Sequence, residues 1–337
     1  MTSLARRGSM TRQGTFRGSR REEAAQGTVV IDIGSSWTRV GIVGDASIRL
    51  CVATPRELRG LMHRSRDESA IACELYPLLT MCACTVPELL SSEKPPLVLT
   101  NASQNPHFTK LLLRWTYANC GRPPSTINTQ LAAMTSYGAS HGVVLDVGWF
   151  SSRACTVVGG VIAQESVFVS SIGWSSVIDN CRDQFMKRNE CFQNGQMDAG
   201  FLDEKLVSDF VVAYGVVAPD NDHYLITQDG SYDLQLKAVL VHAIPARALE
   251  VLFDSPDDEA LTLPKLLSLI LRQSKAHYPT NVFLSGGPTL APNFSLRLAK
   301  ELNKFGFSDL TLSSKSTPAG AILAPVFGGL AAQVAFS

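Results

Sequence analysis

The chain has 337 residues, of which 45% are hydrophobic and 18% are charged, a composition that excludes a largely disordered protein and suits one large two-lobed domain or two ordinary ones. Basic and acidic residues balance at 30 each, so overall charge gives no reason to expect nucleic acid or an anionic membrane as a partner. No apolar run approaches the ~20 residues of a membrane-spanning helix, so we expect no membrane partner either.

Residues 1–27 differ in composition from the rest of the chain. No acidic residue precedes Glu22, and the arginines lie among serine, threonine and glycine; they are Arg6, Arg7, Arg12, Arg17, Arg20 and Arg21. A mitochondrial transit peptide has this composition, and so does a disordered basic tail. Because Gly8, Gly14 and Gly18 disfavour a stable amphipathic helix, we predict the tail.

The first regular elements form a strand pair. Val29–Ile33 is a β-branched run between glycines, which predicts a buried strand, and Thr38–Val43 is predicted to return antiparallel to it. Residues 57–94 have no clear period and predict only short helical pieces, at Tyr76–Leu79 and Val86–Leu90.

Strands and helices then alternate, which predicts the α/β class. The predicted strands are Leu97–Thr100, Gly142–Asp146, Arg153–Val158 and Asn281–Ser285. The predicted helices are His107–Ala118, Ile127–Tyr137, Ser175–Arg188, Leu206–Tyr214, Pro245–Phe253, Leu263–Gln273 and Asn293–Leu302.

One sequence pattern occurs twice. Residues 143–148 (Val-Val-Leu-Asp-Val-Gly) repeat the order of residues 29–34 (Val-Val-Ile-Asp-Ile-Gly). Each copy is followed by a pair of serines, an arginine and a β-branched strand. We therefore predict an internal duplication.

The repeated hairpins have the chemistry of a phosphate site. A Gly-Ser-Ser turn offers consecutive backbone N–H groups, and Arg39 on the returning strand can add a charge-assisted bond. Asp32 and Asp146 are predicted to face each other and, through water, to hold a phosphate-bound divalent cation. A third turn, at Gly286-Gly287, opens a helix whose N-terminus favours phosphate or ribose. The candidate nucleotide-binding residues are Asp32, Gly34, Ser35, Ser36, Arg39, Asp146, Gly148, Ser285, Gly286 and Gly287.

The cysteines do not suggest a metal site. The eight are scattered, and the one close pair, Cys82 and Cys84, has no second pair or histidine cluster to complete a zinc site. We expect reduced, buried thiols in an intracellular protein.

These motifs resemble those of actin and the actin-related proteins. Residues 32–45 resemble the first phosphate loop of that family, Asp146–Gly148 resembles the second, and residues 282–294 resemble its adenosine motif. With gaps, the resemblance extends from about residue 28 to residue 336. It implies the actin-like (actin/Hsp70/sugar kinase) fold, a two-lobed duplicated α/β fold with a cleft between the lobes. The implied ligand is ATP or ADP with Mg²⁺.

The resemblance also implies a division of the chain. The expected parts are a disordered basic tail at 1–27, a first lobe at 28–150 plus 321–337 with a reduced second subdomain at about 57–94, and a second lobe at 151–320 with a small subdomain at about 174–232.

Departures from the family pattern argue against catalysis. Trp149 replaces an acidic residue, Arg153 replaces the hydrolytic histidine, and Thr129 replaces the catalytic glutamine, with Gln130 one place away. The charged residues that embrace adenine in actins fall on apolar positions near Val211, Val212 and Ile322. Since no group is in register to polarise a water, we expect no catalytic residue and no ATP hydrolysis.

Within the family, the chain is most similar to the pointed-end actin-related protein of dynactin. That subfamily also has an aromatic residue at the position of Trp149 and a shortened second subdomain. The resemblance implies a non-enzymatic cap of the short filament, with actin-related filament subunits and other dynactin subunits as partners, in the cytoplasmic cytoskeleton. The alternatives are an active actin-like ATPase and a nuclear actin-related subunit of a chromatin-remodelling complex.

Overall fold

The described part of the chain is discontinuous. The computed structural model describes residues 27–43, 45, 47–91, 93–100, 105–188, 193, 200, 202–218, 230–233, 238–241, 244–255, 259–274 and 281–314. Of the tail predicted at 1–27, only Gly27 is among these residues, and the 321–337 part of the predicted first lobe lies outside them.

A five-stranded sheet forms from the first part of the chain. Its strands are β1 (Val29–Ile33), β2 (Trp37–Ile42), β3 (Leu50–Ala53), β4 (Leu97–Thr100) and β5 (Ser125–Asn128), in the order β3-β2-β1-β4-β5. The pairs β3·β2 and β2·β1 are antiparallel, whereas β1·β4 and β4·β5 are parallel.

A second sheet forms further along the chain. Its strands are β6 (Gly142–Val147), β7 (Ser152–Val158), β8 (Val161–Ile162), β9 (Phe168–Ser170), β12 (Asn281–Ser285) and β13 (Thr311–Ser313), while β10 (Gly230–Asp233) and β11 (Ala238–Val241) form a separate hairpin. The order is β13-β12-β6-β7-β8, and β9 also pairs with β7. Here β8·β7 and β7·β6 are antiparallel, and β6·β12 and β12·β13 are parallel.

The two sheets therefore repeat one pattern of strand directions. In each, an antiparallel hairpin carrying the repeated Val-x-x-Asp motif continues into two parallel strands. The parallel strands return after helical connections, as parallel pairing requires. The prediction of an α/β protein is confirmed, and a mixed two-sheet architecture is compatible with two lobes.

Helices pack on both sheets. They are α1 (Arg56–Arg64), α2 (Glu68–Thr85), α3 (Glu88–Ser91), α4 (Pro106–Cys120), α5 (Thr129–Thr135), α6 (Trp174–Arg188), α7 (Glu204–Tyr214), α8 (Ile244–Glu250), α9 (Leu263–Gln273) and α10 (Phe294–Lys304). One apolar core joins β1 and β2 to α1, α2 and α4, and a larger one joins β6 and β12 to α6–α10.

Local signals place several boundaries correctly. The Asn105 side chain accepts a hydrogen bond from the His107 N–H and caps α4, and the left-handed Gly121 ends it. Strands β4 and β12 and helix α9 have the predicted bounds.

Two predictions need correction. Residues 56–85 form the helices α1 and α2 rather than one short piece at Tyr76–Leu79, because Pro77 lies inside α2 and masks its period. The short helical piece predicted at Val86–Leu90 is confirmed by α3. The helix predicted from Ile127 begins only at Thr129, since residues 125–128 pair with β4 as an edge strand. The change from the first sheet to the second occurs at α5, since β6 pairs with β7 and β12. The lobe boundary at 150 stays a prediction.

Within the described residues, no helix combines the length and apolar character that crossing a bilayer requires.

Candidate functional site

The two repeated hairpins have the same turn. The Gly34 N–H donates to the Trp37 carbonyl at 3.0 Å, and the Gly148 N–H donates to the Ser151 carbonyl at 3.0 Å. In the first turn, the buried Thr54 hydroxyl also donates to the Gly34 carbonyl at 2.6 Å. The backbone of both turns is thus held by hydrogen bonds within the protein.

The first aspartate is paired across its own hairpin. Asp32 lies opposite Arg39 in the β1·β2 register, and Arg39 Nη1 donates to Asp32 Oδ2 at 2.5 Å. Both side chains are buried. Arg39 Nε is also buried and has no hydrogen-bond partner. The Arg39 guanidinium, which was predicted to bind phosphate, therefore already binds the Asp32 carboxylate through one of its nitrogens.

The second aspartate repeats this arrangement. Asp146 lies opposite Arg153 in the β6·β7 register, and Arg153 Nη1 donates to Asp146 Oδ2 at 3.3 Å. Gln130 Nε2 donates to the same oxygen at 3.2 Å. The hydroxyl of Thr129, the residue in register with the family's glutamine, instead donates to the Thr100 carbonyl. Gln130, not Thr129, is therefore the side chain that reaches the second aspartate.

Burial and nearby charge control the ionisation of these groups. Burial raises the pKa of Asp32 above its ordinary value, the Arg39 charge and hydrogen bond oppose that rise, and the charge of Asp146 adds to it. Burial lowers the pKa of the Arg153 guanidinium, and the Asp146 carboxylate raises it.

The third motif lies beside the second. Ser285 is the direct neighbour of Asp146 across β12·β6, and its buried hydroxyl has no hydrogen-bond partner. Gly286 has a φ of 96°, and a Cβ there would lie 2.0 Å from the Val147 carbonyl oxygen. Gly286 is thus required by close packing against the second loop, whereas a Cβ on Gly287 would meet nothing within 4 Å.

Helix α1 adds two side chains that the sequence prediction missed. His63 Nε2 and Ser35 Oγ share a hydrogen bond of 2.7 Å, and the His63 ring meets the Phe150 ring edge-on, with centroids 5.0 Å apart. The Arg59 guanidinium lies 4.9 Å from the centre of the Trp149 ring. Arg59 and His63 are four residues apart and so lie on one face of the helix. A helix predicted over residues 56–64 would have shown this from the sequence.

The Ser35–His63 pair does not have the properties of a nucleophilic dyad. Burial and, to a smaller extent, the charges of Arg153 and Arg64 together lower the pKa of His63 to about 4. An imidazole with this pKa is a weak general base near neutral pH. The pair is better described as a contact between α1 and the first turn.

The thiols are inert in the core and unpaired at the surface. Burial raises the pKa of Cys155, near Asp146, to about 12, and that of Cys181 to about 12. The expectation of buried thiols is wrong for Cys51, Cys73 and Cys84, which are exposed. The described cysteines form no disulfide.

The donor set does not fit the divalent cation that the resemblance implies. Oδ2 of Asp32 and Oδ2 of Asp146 each accept from a guanidinium, whose positive charge opposes a second cation beside the same carboxylate. In the described parts of the chain, no three histidine, cysteine or acidic side chains are grouped to hold a metal ion. The unpaired donors Arg39 Nε and Ser285 Oγ suit an anionic group rather than a cation.

No model of a known protein family matches the chain.

Proposed function

We propose that the chain is a non-enzymatic, actin-related structural subunit with the actin-like two-lobed fold. The observation that carries this proposal is the Asp146–Arg153 pair and its counterpart, Asp32–Arg39. A duplicated hairpin that neutralises its own aspartates keeps the shape of a phosphate site without the charge arrangement that holds a catalytic metal.

The segment between β3 and β4 supports a role as a filament cap. Residues 56–91 fold as α1–α3, and apolar side chains from them enter the core under the first sheet; these include Leu58, Met62, Ile71, Leu75 and Leu79. Actins use this part of the chain for a second subdomain and a polymer-contacting loop. A protomer with a compact segment here can join a filament end but lacks the means to extend it, so we propose the pointed end of the dynactin filament.

Affinity purification from cells tests this function. A tagged copy of the full chain is expected to co-purify with actin-related filament subunits and other dynactin subunits, in the cytoplasmic fraction. Electron microscopy of the complex is expected to place the tag at one filament end only. A protein that purifies as a monomer and turns over ATP, or one that purifies with chromatin-remodelling subunits, contradicts the proposal.

One observation favours the rival function, an actin-like ATPase. Gln130 contacts Asp146, and glutamine is a side chain that can orient an attacking water in phosphoryl transfer. If the rival is correct, ATP turnover is measurable, falls about 100-fold or more in Gln130→Ala, and persists in the neighbouring control Thr129→Ala. We expect no turnover above the buffer background in any of the three proteins.

A further inference from the structure

Helix α1 has two functional faces. Leu58 and Met62, four residues apart, are almost completely buried in the core of the first sheet. Arg59 and His63 have the same spacing, one position further along, and so share the adjacent face. This second face contacts residues that belong to the second sheet and its helices.

Arg59 makes the longest-range of these contacts. Its Nη1 forms an ion pair with Glu204 in the first turn of α7, which packs on the second sheet. The same guanidinium lies over the Trp149 ring in the second turn, and its Nε donates to the Thr54 carbonyl at 3.2 Å. The ion-pair partners are 16% and 26% exposed, so solvent screens them only in part.

His63 joins the two repeated turns directly. On one side its ring nitrogen bonds to Ser35 of the first turn, and on the other its ring packs against Phe150 of the second. Together with Arg59, it places one short helix in contact with both turns and with α7.

We propose that α1 is a strap that holds the two sheets closed without any ligand between the repeated turns. In a nucleotide-dependent protein, the ligand itself links the two halves of the cleft. Here Arg59 and His63 supply links of the same kind from within the chain: a charge-assisted bond, a cation–π contact, an aromatic contact and a hydroxyl–imidazole bond. The inference holds whether or not the chain caps a filament.

Amide hydrogen exchange measured by mass spectrometry tests the strap. Arg59→Ala removes the ion pair and the cation–π contact, so exchange in the turns at 34–36 and 148–151 is expected to accelerate roughly three- to tenfold. Helix α4, which lies outside these contacts, serves as the internal reference and is expected to keep its exchange rate. Arg56→Ala, which removes an exposed arginine from the same helix, is the matched control and is expected to leave both turns unchanged.

Two further variants keep the test informative if Arg59→Ala does not fold. Glu204→Gln removes only the partner's charge and is expected to accelerate exchange in both turns, though less than Arg59→Ala. Arg59→Lys retains the positive charge, so amide exchange in both turns is expected to be slower in this variant than in Arg59→Ala. Unchanged rates in both Arg59→Ala and Glu204→Gln overturn the strap.

A separate measurement tests whether the two turns are held together without a ligand. Wild-type protein is compared with and without added MgATP, and exchange in the two turns is expected to be the same. Turns that exchange freely in the unliganded protein and become protected only with MgATP overturn the proposal. Because this readout needs no filament, failure of the strap and failure of the capping function are detected separately.

Discussion

At the scale of single residues, the repeated ion pairs are the main feature. Each aspartate has its arginine seven residues further along the chain, directly opposite on the neighbouring strand. A buried carboxylate that loses its partner carries a large desolvation cost, whereas replacing both members of a pair is often tolerated. The pairs therefore fix the register of both hairpins and oppose the binding of a cation.

Removing one member of the second pair tests this. Arg153→Met leaves the Asp146 carboxylate buried with Gln130 as its remaining side-chain donor, so the free energy of unfolding is expected to fall by about 3–5 kcal/mol. Urea denaturation followed by circular dichroism measures the loss. The double variant Asp146→Asn/Arg153→Met is the control and is expected to recover more than half of it. Equal losses in the two variants would show that the pair's charges do not matter.

His63 predicts a specific dependence of stability on pH. Its folded pKa of about 4 lies below the value of about 6.5 expected when unfolded, so the unfolded chain takes up the proton first as pH falls. This residue's contribution is therefore fully present above pH 6.5 and is lost progressively down to pH 4, by roughly 2–3 kcal/mol.

The measurement is the urea midpoint of wild type and His63→Gln at several values between pH 4 and 7. The difference between the two proteins is expected to shrink as pH falls, because glutamine does not titrate. His141→Gln, at an exposed histidine, is expected to follow the wild-type curve. A constant difference between wild type and His63→Gln contradicts the assignment.

At the scale of elements, α2 is a long helix that the sequence pattern did not predict. Asp67 caps it by accepting from the Ser69 and Ala70 N–H groups, and the helix runs on through the exposed Pro77 in its middle. Proline lacks the N–H that would bond the carbonyl four residues earlier, so sequence rules end the helix there. Packing of Ile71, Leu75 and Leu79 against the first sheet stabilises the helix despite the missing hydrogen bond.

Replacing this proline is expected to stabilise the protein. Pro77→Ala restores the missing N–H and removes the clash with the preceding turn, so the free energy of unfolding is expected to rise by about 1–3 kcal/mol. Thermal and urea denaturation measure the change. Thr80→Ala, exposed on the same helix, is the matched control and is expected to change stability little. A loss of stability in Pro77→Ala would contradict this expectation.

At the scale of the whole molecule, α5 connects the two sheets. It follows β5 of the first sheet and precedes β6 of the second, and Ala133 and Met134 pack with Val144 and Phe283. The strap proposed for α1 would add a second protein link between the two sheets, through Glu204 and the second turn.

Magnesium is expected to contribute nothing to the stability of the folded molecule. Both aspartates are paired with arginines, so any rise in Tm caused by ATP should be the same with Mg²⁺ as with EDTA. Differential scanning fluorimetry at about 1 mM nucleotide measures this, because a ligand at 100 times its Kd adds about 2.7 kcal/mol and shifts Tm by several degrees. A Tm that rises only with Mg²⁺ shows that the aspartates do hold the cation.

The sequence by itself determined the local elements and their repetition. Some signals act over only a few residues, so they can be recognised in the sequence without knowledge of the fold. They are the caps of α4, the β-branched strands and the repeated Val-x-x-Asp pattern. Only the tertiary structure decided what the site residues contact. Asp32 could have faced a cation or Arg39, and Gln130 rather than Thr129 reaches Asp146 because strand pairing and helix phase set their directions. Arg59 and Glu204 are 145 residues apart, and no local pattern relates them. They meet only because α1 packs on the first sheet and α7 on the second.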